Sequence, residues 1–246
     1  MQGGPWVTPE VLVRHAFATA SVVMMNEGHS GMSRCVRTRR VGHAVLRAAH
    51  DAGCRVLAME AFANPRGDGP TVLDGRPEPF GYLAQPEMAA LLDLACELGL
   101  QLVAYECDDR RAPEALRDNM RDVAFSNWRE AEQARHLVEA AAGLGDGRML
   151  VWCGNSHHRK SVGGAWVPMG ARYAEFGGPE AFAIDQLATV ALHSSYAPMI
   201  ALDASLRATL DARGGTLGFL AQDPPEGLRV APGFDAFIAS TDNMVA

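Results

Sequence analysis

Four short apolar runs, separated by segments with helical periodicity, limit the folds that this chain can adopt. The runs are 22–25 (VVMM), 54–62 (CRVLAMEAF), 100–108 (LQLVAYECD) and 148–155 (RMLVWCGN). Parallel strands need a long crossover connection, so strands that alternate with helices favour a parallel sheet with helices on its faces. The sequence therefore predicts an α/β fold with a mostly parallel central sheet flanked by helices.

The remaining segments are assigned from periodicity and composition. The spacing of apolar residues predicts helices at 9–19, 35–52, 86–98, 113–143 and 203–212. Further candidate strands or edge segments are 165–176, 182–187, 216–220 and 234–239. A stretch rich in Gly, Pro and Asp, 63–84, predicts a long loop. Because we find neither repeats nor a linker, we expect one domain over residues 1–246, with the core motifs in 20–187.

Charge and cysteine content narrow the classes of partner. The formal net charge of −7 indicates no basic surface, so we expect no nucleic-acid partner. The five cysteines are odd in number and form no CxxC pair, which is typical of reduced thiols in the cytoplasm. We see neither a signal-peptide pattern nor an apolar run of the roughly 20 residues that a membrane span needs. We therefore expect a cytoplasmic protein with a small-molecule substrate and no membrane partner; the oligomeric state stays open.

Ionisable residues follow all four apolar runs. In chain order they are Glu27 and His29, then Glu60, then Glu106 and Asp108, and finally Asn155, His157 and His158. The carboxyl ends of parallel strands lie at one edge of a sheet, and ligands bind in the crevice outside that edge. The sequence therefore predicts a single cleft that collects carboxylates and imidazoles from four strands.

Two of these residues have the strongest case for a functional role. His29 lies between Gly28 and Gly31, which allow a sharp bend and the close approach of a ligand, and a neutral histidine suits general-base catalysis near pH 7. Glu60 follows an apolar run with no turn residue beside it. Because a buried carboxylate needs a partner, we expect Glu60 to lie in a functional cluster.

The other strand-end residues have competing interpretations. Glu106 and Asp108 are candidates for the cleft, but acidic residues after a strand also serve as turn or cap residues. His157 and His158 are adjacent, so in an extended segment they point in opposite directions. We therefore expect one of the two histidines in the cleft and the other at the surface.

An arginine cluster follows His29. Arg34 and Arg37 are three residues apart, so on a helix they share a face and could bind a carboxylate or phosphate. Arg39 and Arg40 are expected on the solvated face of the same helix. The motifs GxSxG, GxxxxGK[ST], GxGxxG and HExxH do not occur, so the sequence does not support a serine hydrolase of that type, a nucleotidase or a zincin.

Four motifs in order resemble the superfamily that groups erythromycin esterases, ChaN-type haem-binding lipoproteins and TIKI/TraB-type proteins. They are NEGHSG (26–31), MEAF (59–62), RDNMRDVAF (117–125) and WCGNSHH (152–158). Asn26 stands where the group usually has glycine, and Glu27 and His29 are one residue closer together than in its G-E-G-T-H-G element. The last motif singles out His157 over His158.

For the esterase branch, the resemblance implies metal-independent hydrolysis of a small-molecule ester or lactone, with a role in antibiotic resistance or natural-product biosynthesis. His29 would be the general base, Glu27 and Glu60 would orient the site, and His157 would polarise the carbonyl or protonate the leaving group. The full set of predicted site residues comprises these four as catalytic, and as substrate-binding Arg34, Arg37, Glu106, Arg117 and Asn155.

Three alternatives stay open. The same acid and base groups could catalyse elimination, cyclisation or isomerisation in a biosynthetic pathway. The TIKI branch implies instead that the histidines and glutamates hold a divalent metal that activates water. The ChaN branch implies a protein that binds haem or a small ligand without catalysis. Our prediction is an enzyme without a cofactor, with a divalent metal as the alternative.

Overall fold

The computed structural model describes residues 5–30, 33–34, 36–186, 204–228 and 230–241, with the backbone alone at 29, 30, 33, 34 and 82. In this part of the chain, eight strands form one sheet, in the order β5-β6-β4-β7-β1-β8-β10-β9. The strands of this sheet are β1 Val22–Glu27, β4 Cys54–Met59, β5 Thr71–Val72, β6 Gln101–Ala104, β7 Arg148–Gly154, β8 Ala181–Asp185, β9 Thr216–Leu220 and β10 Ala236–Ser240. The short strands β2 His29–Ser30 and β3 Ser33–Arg34 pair with each other.

The sheet is parallel through its centre and antiparallel at both edges. Strands β6, β4, β7, β1, β8 and β10 run parallel to their neighbours, whereas β5 and β9 pair antiparallel with β6 and β10. The predicted fold class, a mostly parallel sheet in an α/β protein, is therefore confirmed. The carboxyl ends of β6, β4, β7 and β1 also lie side by side at one edge, as the sequence predicts.

Helices cover both faces of the sheet. They are α1 Pro9–Thr19, α2 Val36–Asp51, α3 Pro86–Glu97, α4 Glu114–Arg117, α5 Val123–Ala142, α6 Met169–Glu175 and α7 Ala204–Asp211. Apolar side chains of α1, α2 and α3 pack in one core cluster, whereas those of α5 and α6 pack in another cluster against β1, β4 and β7. Because both faces are covered, β1 is buried along its whole length, which explains its uninterrupted apolar run.

Two predicted elements are wrong. Segment 165–176 is predicted as a candidate strand or edge segment, but Pro168 precedes a helix there, α6. With only seven residues, this helix is too short for its periodicity to be recognised. The single helix predicted over 113–143 is two helices, because Asp122 caps a new one by accepting a hydrogen bond from the Ala124 N–H (2.8 Å).

Part of the predicted loop 63–84 forms regular structure, because two of its residues pair with β6. Its residues Thr71 and Val72 form β5 on the edge of the sheet, and Gly81–Ala84 forms a 3-10 turn. The Asn64 side chain donates to the Glu106 carbonyl (2.7 Å) and accepts from the Thr71 hydroxyl (2.6 Å). No helix in the described ranges is both long and apolar enough to cross a membrane.

Candidate active site

A cavity of about 500 Å³ lies beside the carboxyl end of β7. This volume is in the range of small-molecule sites. Residues from three segments line it: Met120, Phe125, Ser126, Arg129 and Glu130 from the start of α5 and the turn before it, Asn155, Ser156, His157 and Arg159 after β7, and Trp166. The sheet edge and α5 together therefore form its walls.

An arginine on α5 joins the carboxylates that follow β4 and β6. Arg129 donates from Nη2 to Glu60 Oε1 (2.7 Å) and also binds Glu106 through Nε (3.1 Å) and Nη2. The second carboxylate oxygen of Glu60 accepts the backbone N–H of Gly154 (2.7 Å), and Gln133 donates to both oxygens of Glu106 (3.0 and 2.9 Å). Both predicted glutamates are thus fixed in one cluster.

His157 joins this cluster from β7. Its Nδ1 donates to Glu130 Oε1 (2.5 Å), and its Nε2 lies 3.8 Å from Glu60 Oε1. The Glu130 side chain is 2% exposed, and its other oxygen accepts the Met169 N–H (2.6 Å). The imidazole is therefore oriented by a carboxylate that is itself held in place, and the edge of the Trp166 ring packs against it at 5.9 Å between centroids.

The surrounding charges determine the protonation of His157. Burial lowers its pKa, but the carboxylates of Glu60 and Glu130 more than offset burial and raise the pKa to about 9. Burial likewise raises the pKa of Glu60, but His157 and Arg129 hold that pKa well below its ordinary value. At neutral pH the cluster therefore contains an imidazolium and an ionised Glu60, so His157 is suited to act as an acid.

Asn155 connects this cluster to the end of β1. It has a φ of 44°, a left-handed conformation that asparagine tolerates better than most residues. Its N–H donates to the Glu27 carbonyl (2.8 Å), and its own carbonyl accepts from the Asn26 side chain (2.5 Å). Asn26 also donates to Asp185 Oδ1 (2.7 Å), which fixes β1 to β8 at the same edge.

Glu27 lies in a second buried group, next to α2. Arg39 donates to it from Nε (2.9 Å) and Nη2 (3.3 Å), and Trp152 donates from its indole N–H (3.4 Å). The Glu27 and Arg39 side chains are 3% and 0% exposed. The prediction that Arg39 lies on a solvated helix face is therefore wrong, because α2 turns this side chain inward to pair with a buried carboxylate.

The predicted arginines are distributed differently from the expectation. Arg37 is buried, and its Nη2 donates to the carbonyl of Gln186. Arg117 is exposed at the end of α4 and does not line the cavity. The side chains of His29 and Arg34 lie outside the described residues, although the backbones of these two residues pair in β2 and β3. Their predicted roles stay predictions.

His158 is not at the surface, contrary to the expectation. It is fully buried, its Nε2 lies 3.1 Å from the Ile184 carbonyl, and its ring packs on Phe234. Burial lowers its pKa to about 3, so this histidine is neutral. The two adjacent histidines do diverge as predicted, but the second one enters the core. Asp108 has the cap role named as an alternative, since it accepts from the Arg110 N–H (3.0 Å).

Sequence reasoning missed four residues: Arg129, Glu130, Arg159 and Trp166. Of these, Glu130 had a usable signal. It occupies the buried stripe of α5, in register with Ala134, Leu137 and Ala141, where an acidic residue is out of place. Arg159 and Trp166 lie in an irregular segment with no periodic pattern, so only the tertiary structure brings them to the cavity.

Histidine, carboxylate and cysteine side chains are the groups that metal or thiol chemistry would use. Among the described side chains, no group of three or more His, Cys, Asp or Glu residues is positioned to hold a metal ion. Burial raises the pKa of Cys107, in the segment after β6, and of Cys153, near the end of β7. These two thiols are therefore poorly suited to act as nucleophiles.

No known family model matches this chain, and no curated protein matches it. Solved structures do. The type III effector HopBA1 is 14% identical, with a TM-score of 0.48; the match covers 76% of this chain and 87% of the HopBA1 chain. RRSP, a MARTX toxin effector domain from Vibrio vulnificus CMCP6, is 17% identical, with a TM-score of 0.47. The match covers 72% of this chain and 36% of the RRSP chain. A crystal structure of bacterial protein toxins is 17% identical, with a TM-score of 0.46; the match covers 72% of this chain and 36% of the toxin chain.

The predicted membership in the erythromycin esterase/ChaN superfamily is wrong: no family model matches the chain, and the structures found are described as a type III effector, bacterial protein toxins and a toxin effector domain. The four motifs are short, and the Gly, Asn and acidic residues that they share with the superfamily are common wherever strands end in turns. In addition, RDNMRDVAF does not lie on one long helix. Its Arg117 ends α4, whereas Val123 begins α5.

Proposed function

We propose that the cavity is the active site of an enzyme that hydrolyses a small-molecule ester or lactone by acid–base catalysis. The observation that carries this proposal is His157, whose imidazolium is held between Glu130 and Glu60 at the cavity wall. A positioned cation of this kind stabilises negative charge that develops on a carbonyl oxygen. The surrounding volume of about 500 Å³ suits a small substrate.

In this scheme His157 acts through Nε2. Because Nδ1 is engaged by Glu130, the free Nε2–H would donate to the substrate carbonyl and then protonate the leaving alcohol. Glu60 stays ionised and orients the imidazolium, while Arg129 keeps Glu60 and Glu106 in place. The base that deprotonates water would be His29, which the sequence predicts and which lies two residues after the end of β1, the neighbour of β7.

The decisive test compares His157→Gln with the wild type on a substrate found by screening esters and lactones. We expect kcat/KM to fall by about 10²-fold or more, since general acid catalysis contributes that much. His43→Gln is the matched control, because His43 is an exposed histidine on α2, outside the cavity lining. Full turnover by the His157 variant, at normal folding, would refute the assignment of this site.

The products separate hydrolysis from the other reactions that an acid and a base can catalyse. Hydrolysis adds the mass of one water to the substrate, whereas elimination, cyclisation and isomerisation do not. Mass spectrometry of the reaction in H₂¹⁸O would show ¹⁸O in the acid product if water attacks the acyl carbon. Products without added water would replace the hydrolase with one of the other reactions at the same site.

A further inference from the structure

Arg159 is held at the cavity wall by one edge of its guanidinium group. Its Nε donates to the Ser161 hydroxyl (3.1 Å) and to the Pro232 carbonyl (3.2 Å). The first bond lies within the segment after β7, and the second connects this segment to the loop before β10. The side chain is therefore positioned by the protein without using its terminal nitrogens.

Two glycines make room for this side chain. A Cβ on Gly233 would lie 2.9 Å from Arg159 Cγ, and φ at Gly233 is 93°, a conformation that favours glycine. A Cβ on Gly163 would lie 3.1 Å from Nη1 and 3.3 Å from Nη2. The backbone thus encloses Arg159 closely on two sides, which restricts the conformations of a long side chain.

The charge of Arg159 also differs from the other charges of the lining. Arg129 is paired with Glu60 and Glu106, and His157 is paired with Glu130. In the described part of the chain, Arg159 forms no ion pair, and its Nη1 and Nη2 donate no hydrogen bond to protein. A guanidinium with both terminal nitrogens available matches a carboxylate or a phosphate in bidentate geometry.

Three other residues that line the cavity are apolar, in contrast to Arg159. Phe125 is buried, Trp166 packs edge-on against His157, and Met120 is 48% exposed although it is a large apolar residue. Together with Arg159, they combine an apolar wall with a cation that has no ion pair among the described residues. Such a combination selects a ligand that has an apolar body and a single anionic group.

We propose that the cavity binds small molecules with an aromatic or other apolar body and a carboxylate or phosphate group, and that Arg159 holds the anionic group. The claim that such molecules are substrates rests on the proposed hydrolase function, whereas the claim that they bind does not. Arg159 thereby determines specificity, while His157 carries out chemistry at a neighbouring position.

Calorimetric titration of the full chain with three matched probes tests this proposal. The probes are 1-naphthoate, 1-naphthyl phosphate and the uncharged 1-naphthamide. We expect at least one anion to bind about tenfold or more tightly than the amide, and Arg159→Ala to remove that advantage while affinity for the amide is unchanged. Arg135→Ala is the control, since Arg135 is 54% exposed on α5 and pairs with Glu132.

Arg159→Gln covers the case in which the alanine variant does not fold, because glutamine retains a donor for the Pro232 carbonyl. The same loss of anion preference in this variant supports the proposal, and the tighter of the two anions in the wild type identifies the group. Equal affinity for anions and amide, absence of binding, or an unchanged preference in both variants would overturn it. Anion binding without esterase activity would leave this proposal standing and remove the hydrolase.

Discussion

A single buried carboxylate has a large influence on the chemistry available in the cavity. Glu130 is a residue of α5 that contacts Nδ1 of His157 and is 2% exposed. In a poorly solvated site, an anion at this distance strongly favours the charged form of the imidazole. Glu130 is therefore a positioning residue, because it orients the imidazole of His157 and, together with Glu60, favours its protonated form.

Glu130→Gln should lower the pKa of His157 below about 9, by roughly one unit or more, because it removes a negative charge but retains a hydrogen-bonding oxygen. The alkaline limit of the activity profile should move to lower pH by the same amount. NMR titration of the His157 ring measures the pKa directly. Glu132→Gln, two residues away and paired with Arg135, should leave it unchanged; an unaltered pKa in both variants would show that Glu130 has no such role.

At the scale of elements, α2 can pack close to β7 because Gly42 has no side chain. A Cβ on Gly42 would lie 2.4 Å from Cη2 of Trp152, whose side chain is buried in the core and donates to Glu27. The aromatic ring fills the space between helix and sheet at the edge that carries the candidate site. Packing of α2 therefore supports the same group of residues that positions Glu27 and Arg39.

Gly42→Ala should destabilise the protein by roughly 1–3 kcal/mol, because the added methyl group overpacks a rigid ring. Helix propensity alone predicts the opposite, a gain of up to about 1 kcal/mol. Urea unfolding shows whether the free energy of unfolding of the variant falls or rises. Gly143→Ala is the matched control, since Gly143 caps α5 with a φ of −80° and its Cβ would lie 3.4 Å from its nearest neighbour, so this variant should be neutral or slightly stabilised.

At the scale of the whole molecule, the two adjacent histidines make stability depend on pH in opposite directions. The pKa of His157 is raised to about 9, so its stabilising contribution is complete below about pH 6.5 and is lost as the pH rises towards 9. The pKa of His158 is lowered to about 3, so its contribution is complete above about pH 6.5 and is lost as the pH falls towards 3. These two groups together place the stability maximum near pH 6.5.

Urea unfolding at pH 5, 6.5 and 9 should therefore give the highest free energy of unfolding at pH 6.5. His157→Gln should remove roughly 1–3 kcal/mol of the difference between pH 6.5 and 9, and leave the acid side unaffected. His158→Gln should instead reduce the difference in the free energy of unfolding between pH 5 and pH 6.5. If both variants retain the slopes of the wild type, other groups determine the pH dependence and the opposite roles of these histidines are refuted.

Several features of this protein were predictable from the sequence because they depend on local patterns. The apolar runs and the helical spacing between them predicted the parallel sheet, since period and length distinguish strands from helices. The parallel arrangement then implied that Glu60, Glu106 and His157 lie at one edge, and the structure brings these three together. Family membership was predicted wrongly, because short motifs carry little specific information.

The tertiary structure alone decided which side chains complete the cluster. Arg129 and Glu130 are ordinary residues for a helix, and only the rotation of α5 against the sheet turns them towards β4, β6 and β7. In the same way, Arg39 and His158 resemble surface residues in the sequence but are buried in the structure. The physical reason is that the burial of a polar side chain depends on a partner distant in the chain, which no local pattern specifies.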